Sequence, residues 1–319
     1  MVRQAWASRA ARALRAAHVA VLICAACGGE PLAPTVARAW PVMGTMMSAA
    51  AWGPDSARLE TALDAAQDSV ERIDSLLSTF SDDSEITWIN RRAGTAGERR
   101  VTPSFAVVLA EALAVAGASY GAFDPTKRNW RGVRFDSARG TVRLARGLEL
   151  DFGGIAKGYA LDRAALAFAG VADSVLLDLG GQFLWVATPP APTRRTVGIA
   201  DPDNSARVLA AVEMVGGSVS TSSQAEQPGH IVDPRSRPPA AAQRARSVTV
   251  LAADGMTADA WSTAFYVLGC DSALALAARL ERWRVSVICA DSSGVRWTPD
   301  LDKRVLLPSG AGRPTVPEP

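Results

Sequence analysis

Lysine and histidine are scarce in this chain of 319 residues, which holds three lysines (Lys127, Lys157, Lys303) and two histidines (His18, His230). Of 34 basic residues 31 are arginine, and with so much alanine this reflects a GC-rich coding sequence rather than a functional demand. The position of each lysine and histidine is therefore informative. A basic surplus is also missing once the N-terminus is set aside. Arg3, Arg9, Arg12 and Arg15 lie in the first fifteen residues, and no acidic residue precedes Glu30. Residues 27–319 carry 30 basic against 32 acidic groups, which excludes the electropositive footprint of a nucleic-acid binder. The chain has no tandem repeat, no long low-complexity linker between Trp40 and Leu307, and no Gly-x₄-Gly-Lys-Ser/Thr phosphate loop. What remains is ordinary globular composition, 48% hydrophobic and 21% charged, enough for one large domain or two modest ones.

Residues 1–26 read as a signal peptide: four arginines, then a short apolar run from Ala16 to Ala26. That run is too short to span a bilayer, which takes roughly 20 apolar residues. It ends in Cys24-Ala25-Ala26-Cys27-Gly28, which resembles a lipobox with cysteine at Cys24 where leucine is usual. Cys27 would then be diacylated and become the mature N-terminus; the alternative is an ordinary secretory leader with incidental cysteines. Either way an exported protein is expected, and lipidation would anchor it to a membrane facing the periplasm or cell surface. Residues 27–39, with Pro31 and Pro34, read as a tether, and 308–319 as a disordered tail. An oxidising compartment permits a bond between Cys270 and Cys289, with two buried free thiols as the alternative.

Between these ends, residues 40–307 read as one domain. Trp40 to Trp52 is expected as a strand, closed by Pro54-Asp55-Ser56, which caps the next helix. Leu59, Leu63, Val70, Ile73, Leu76 and Leu77 recur at helical spacing. Thr102-Pro103 opens a second long helix, stopped by Gly117 and Gly121. A hairpin is expected at residues 133–144, a helix from the glycine-rich 151–158 to about Ala169, and strands at 175–179, 196–200, 207–214 and 247–251. Helices at 257–268 and 272–280 and a hairpin at 285–298 complete the pattern. Without a clean βαβ rhythm, the class is α+β.

Three segments carry candidate chemistry. Asp151 to Ala160 places three glycines and Lys157 where a loop opens a helix. Exposed N–H groups there favour an anion such as pyrophosphate, or the turn merely packs a helix. Asp259 and Thr263 lie four apart on one helix face, a carboxylate and a hydroxyl suited to a hard cation such as Mg²⁺; the alternative is that Asp259 caps the helix. His230, in His230-Ile231-Val232-Asp233-Pro234-Arg235, is the only histidine after the leader and a candidate general base, or simply a polar surface residue.

Taken in order, these segments resemble the ApbE family, the FAD:protein FMN transferases. The resemblance spans about Trp40 to Leu268. It rests on Met43-Gly44-Thr45, Ser78-Thr79-Phe80 with Ser84-Glu85 and Asn90, Gly121 to Thr126, Asp151 to Asp162 and Gly180-Gly181. Val197-Gly198-Ile199 with Asp201-Pro202, Thr221-Ser222, His230 to Arg235 and Ala258 to Thr263 extend it. It implies a single ApbE-like, T-fold-like α+β domain with a flavin groove. It also implies Mg²⁺ held by Asp259, Thr263 and the main-chain oxygen of Ala156, with Ser262 as a further candidate ligand. Met43, Phe80, Ala122, Phe123, Asp124, Gly153, Tyr159 and Ile231 would line the FAD site, Lys157 would lie near the phosphates, and His230 would be the base. The implied reaction moves FMN from the substrate FAD to a Ser or Thr hydroxyl of an exported acceptor protein and releases AMP.

The chain departs from the family pattern in a shorter segment between Ser222 and His230, in Arg237 where a glycine is usual, and in Phe80 where tyrosine is common. These departures bear on acceptor recognition and rate more than on fold. Mg²⁺-dependent hydrolysis of FAD to FMN and AMP, and a non-catalytic FAD-binding lipoprotein, are the competing readings.

Overall fold

The structure, a computed structural model, describes residues 33–308 apart from 190, 192–193, 226–228, 237–239 and 242–244. The signal peptide, Cys27, the first part of the tether, Arg237 and all but the first residue of the tail lie outside the described residues. In chain order the strands are β1 (Val36–Val42), β2 (Thr45–Trp52), β3 (Arg99–Arg100), β4 (Val133–Asp136), β5 (Thr141–Leu144), β6 (Ser174–Leu179), β7 (Gln182–Ala187) and β8 (Arg195–Asp201). They continue with β9 (Asn204–Met214), β10 (Gly217–Ser223), β11 (Val232–Asp233), β12 (Ala240–Ala241), β13 (Ser247–Ala252), β14 (Ser286–Asp291), β15 (Gly294–Trp297) and β16 (Val305–Leu306). The helices are α1 (Ser56–Leu77), α2 (Glu85–Asn90), α3 (Pro103–Ala118), α4 (Ala156–Ala165), α5 (Gly255–Leu268) and α6 (Cys270–Ala277).

The frame is an eight-stranded antiparallel sheet in the order β1-β2-β6-β7-β10-β13-β14-β15. One face is covered by helices, the other by β8 and β9 with β16. Alternation along the strands sorts the core accordingly. Val248 and Val250 join the helix-side core with Leu63, Val70, Leu161 and Phe265. Leu251, Val219 and Ile288 join Trp185, Val197, Ile199, Val212 and Met214 on the far side. Covered on both faces, β13 is buried along nearly its whole length, Ser247 and Thr249 included. Helices gathered on one face of an antiparallel sheet make the α+β class expected from the sequence.

Local signals explain the helices. Asp55 caps α1, accepting from the N–H of Arg58, and Leu59, Leu63, Ala66, Val70, Ile73 and Leu77 form its buried stripe. Ser84 and Thr102 cap α2 and α3 in the same way, and Pro103 opens α3. The carboxylate of Glu85 then takes both the N–H and the hydroxyl of Thr102, fastening α2 to the start of α3.

Several expectations are corrected. The single strand expected at Trp40–Trp52 is a hairpin, because Met43 and Gly44 adopt φ of 50° and 70° and reverse the chain. Its first strand begins at Val36, inside the stretch read as tether, where Val36 and Trp40 are buried. Strands β7 and β10 were not anticipated. Asp254, not Asp259, caps α5, accepting from the N–H and hydroxyl of Thr257. Of the two readings left open for the cysteines the bonded one holds: a Cys270–Cys289 disulfide links the start of α6 to β14. Closing a loop of 19 residues in sequence contributes about 3 kcal/mol in the chain-entropy account. No helix among the described residues is long and apolar enough to cross a membrane.

Candidate active site

The site is built where α4 crosses α5. Gly158 and Gly255 meet so closely that a Cβ on Gly158 would lie 2.0 Å from the main-chain oxygen of Gly255. Only glycine allows that approach. Asp162, one turn further along α4, accepts from the N–H groups of Gly255 (2.6 Å) and Met256 (2.9 Å), so α4 supplies a second cap to α5. Gln182 of β7 donates to the Gly255 oxygen at 2.8 Å and locks the crossing to the sheet.

This crossing presents Asp259. Its side chain is 5% exposed; Oδ2 accepts from the N–H of Gly158 at 3.1 Å, and Oδ1 faces the Lys157 ammonium at 3.8 Å. Burial pushes the Asp259 carboxyl above its usual range, opposed by Lys157 and by the Gly158 N–H. The carboxylate is thus only partly neutralised within the protein. Burial likewise raises Asp162, to about 7, with Asp254 and Asp259 adding to the rise and the two N–H bonds opposing it.

Two hydroxyl groups meet the main-chain oxygen of Asp259. Ser262 is fully buried; its Oγ donates to the Asp259 main-chain oxygen at 2.9 Å and lies 2.8 Å from Ser222 Oγ and 3.3 Å from Ser220 Oγ. Thr263 is half-buried, its Oγ1 3.5 Å from Ser222 Oγ and 3.4 Å from the Asp259 oxygen. Ala156 begins α4 and is buried. Among the described residues no three His, Cys, Asp or Glu side chains converge; of Asp259, Ser262, Thr263 and Ala156, Asp259 alone brings a charged oxygen.

Two loops close on Thr263. A Cβ built on Gly154 would lie 3.0 Å from Thr263 Oγ1 and 3.3 Å from Phe123 Cε2, so the glycine-rich turn, the Phe123 turn and α5 meet at one point. Lys127 pairs with Asp151 at 2.6 Å, while the other Asp151 oxygen takes the Gly153 N–H at 2.7 Å, binding the first two segments together. Asp124 spends both carboxylate oxygens on its own turn, on Thr126 and on the N–H of Trp130. Asn90 clamps Leu150 with two hydrogen bonds, setting where the glycine-rich segment starts. Arg235, paired to Asp233 through two bonds, brings its Cγ to 3.9 Å from a Cβ built on Gly121, which draws the segment after His230 toward the same turn.

The remaining expected residues differ in exposure. Ala122, Phe123, Tyr159 and Ile231 are buried, Met43 is half-buried, and Gly153 and His230 are exposed. Met43 is held by a bond from its N–H to Asp74 at 3.1 Å. Phe80 is 94% exposed, an aromatic ring with almost no protein around it. A separate cavity of about 590 Å³ is lined by Tyr159, Asp162, Leu184, Met256, Thr257 and Trp283 among others. Of the residues expected to line the flavin site, its lining contains Tyr159 alone.

Sequence reasoning assigned no role to Asp162, Gln182, Ser222 or Gln224. The signal for Asp162 was available: a carboxylate on the turn after Gly158 in a helix whose Ala156, Gly158, Tyr159, Ala160, Leu161 and Ala164 are buried.

The ApbE family profile matches residues 43–129 and 126–287. This chain belongs to the ApbE family. It is 29% identical to the FAD:protein FMN transferase of Treponema pallidum, over 81% of this chain and 87% of that protein. Among solved structures it resembles the ApbE protein of Thermotoga maritima (23% identity, TM-score 0.72, covering 83% of this chain and 97% of that one). The flavinyl transferase ApbE of Pseudomonas stutzeri is similar (24% identity, TM-score 0.71, 86% and 97% covered). At these identities the structural likeness speaks for the fold, which is the ApbE fold.

Proposed function

We propose that this ApbE-family protein is an FAD:protein FMN transferase that moves FMN to a Ser or Thr hydroxyl of an exported acceptor protein and releases AMP. The observation that carries the reading is the meeting of Asp259, Thr263, the Gly153–Gly158 turn and Phe123 at one crossing of two helices. The family match and the Treponema relative support it.

The donor set suits Mg²⁺. Asp259 is a buried carboxylate facing the Lys157 ammonium at 3.8 Å, and the other oxygens it would share the ion with, the Thr263 hydroxyl and the Ala156 carbonyl, are neutral. Hard oxygen donors, few in number, leave positions for phosphate oxygens. Bound there, Mg²⁺ would supply Lewis acidity and a template for the pyrophosphate. Ser262 fastens the Asp259 main chain and the end of β10, so its part is to hold the ligands in place.

The other residues position and move protons. Met43, Ala122, Phe123, Tyr159 and Ile231 give the flavin apolar walls, Phe80 offers an open ring face, and Asp124 shapes the turn that carries Phe123. Gly153 permits close backbone approach, and Lys157 extends an ammonium toward the phosphates. As the acceptor oxygen bonds to the FMN-side phosphorus, His230 takes its proton, and the bond to the AMP oxygen breaks with its electron pair leaving on AMP.

Export belongs to the same proposal. The arginine-led leader and Cys27 support a lipid-anchored protein facing the periplasm or cell surface, and the Cys270–Cys289 bond is consistent with an oxidising compartment.

The test incubates the mature chain with FAD, Mg²⁺ and a candidate acceptor and looks for flavin fluorescence on the acceptor in a denaturing gel. Label that requires Mg²⁺ and is lost in Asp259→Ala supports transfer. Free FMN plus AMP without label selects hydrolysis, and FAD bound but not consumed selects a carrier.

A further inference from the structure

We infer that Gln224 is a positioning residue for His230. Gln224 follows β10, and its side-chain amide uses both of its functions on the loop that carries the histidine. Nε2 donates to the main-chain oxygen of Ile231 at 2.8 Å, and Oε1 accepts from the N–H of Gly229 at 2.6 Å. The two bonds grip the residues immediately before and after His230. One donor and one acceptor on the same planar group are required, which an amide offers and a carboxylate does not.

The grip matters because of where His230 stands. The histidine is exposed, so the two peptides that flank it set where its backbone presents the imidazole. Ile231 is buried and roots that backbone below, and Val232–Asp233 pairs with β12 beyond. Upstream, Ser222 holds the end of β10 to Ser262 of α5 at 2.8 Å, two residues before Gln224. A continuous series of bonds thus runs from Asp259 through Ser262, Ser222 and the chain at Gln224 to the two peptides flanking His230. It ties the peptides on either side of the base to the helix that carries Asp259.

The inference rests on His230 being the base of the proposed reaction, and the test separates the two. Transfer of FMN from FAD to an acceptor is measured for the wild type, Gln224→Ala, His230→Ala and the double variant, with FAD affinity and thermal melting as controls. Gln224→Ala lowers kcat roughly ten- to a hundredfold, the scale of a catalytic group misplaced by about an ångström, and leaves KM for FAD within about twofold. The double variant is no slower than His230→Ala, because a group that acts only through His230 has nothing left to act on. Gln224→Glu keeps the bond from Gly229, loses the one to Ile231, and falls between wild type and Gln224→Ala.

Wild-type kcat in Gln224→Ala, with His230→Ala slow, overturns the inference and leaves the base assignment standing. A double variant tenfold slower than His230→Ala also overturns it, since the loop would then act independently of the imidazole. Wild-type rate in His230→Ala overturns both.

Discussion

The main-chain N–H of Gly158 donates to Oδ2 of Asp259 at 3.1 Å, joining residues 101 apart in sequence at the point where α4 and α5 come closest. The same glycine meets the backbone of Gly255, so the bond and the close crossing depend on one another. Gly158→Ala would force a methyl into a gap already closed by a carbonyl oxygen. It is expected to cost at least about 1–3 kcal/mol, the usual penalty of overpacking, and to displace Asp259. Urea unfolding gives the first quantity, and Mg²⁺ titration calorimetry should show weakened metal binding. Unchanged stability and affinity would mean that the two helices can part without consequence.

Asp162 makes stability depend on pH in a defined direction. Its folded-state pKa is about 7 against 3.8 for the free side chain, because burial, Asp254 and Asp259 outweigh the two backbone N–H bonds. A raised carboxyl holds its proton in the folded chain after the unfolded chain has lost it. The contribution is therefore fully present below about pH 4 and is lost as pH rises to about 7. Relative to Asp162→Asn, the unfolding free energy of the wild type should fall by about 1.4 kcal/mol for each pH unit across that window, then level off. A difference between the two proteins that stays flat from pH 4 to 8 would contradict the assignment.

Phe80 separates function from stability. At 94% exposure its ring contributes little to the core, so Phe80→Ala should leave the melting temperature nearly unchanged. If the ring stacks on the flavin, FAD affinity falls about two- to tenfold, matching the usual worth of an aromatic contact. Fluorescence quenching of FAD measures it. Unaltered affinity would remove Phe80 from the flavin site.

Much of the fold was legible because apolar spacing and caps act locally. The α1 stripe, the Asp55, Thr102 and Pro103 signals and the 133–144 hairpin all appear where residue pattern placed them. Strand β10 was hidden for a physical reason: its inward-facing residues Ser218, Ser220 and Ser222 are buried hydroxyls bonded to α5, to Gln182 and to the main chain of β7, so no apolar alternation marks it. Strand β7 did carry a signal, since Gly180-Gly181 precedes the apolar residues 183–187; the glycines were read as a motif rather than as a hairpin turn. The Met43 reversal could not be inferred, because a left-handed methionine is unusual and is held here by Asp74, 31 residues away.

The candidate site divides along the same line. Asp259 and Thr263 share a helix face by spacing alone, and the structure places both beside the glycine-rich turn. Asp162 and Gln224 were missed because their importance lies in the backbone groups they hold, and those partners are distant in sequence or lie in a loop without pattern.

The central claim is transfer of FMN to a protein hydroxyl, and the most direct measurement counts products against labelled acceptor. Mature chain, Mg²⁺, FAD and a Ser/Thr-bearing acceptor are combined, the intact mass of the acceptor is recorded, and AMP and free FMN are quantified. The account predicts one AMP released for each acceptor that gains one phosphoester-linked FMN, with no free FMN and no reaction in Asp259→Ala. AMP matched by free FMN, with the acceptor mass unchanged, would contradict it.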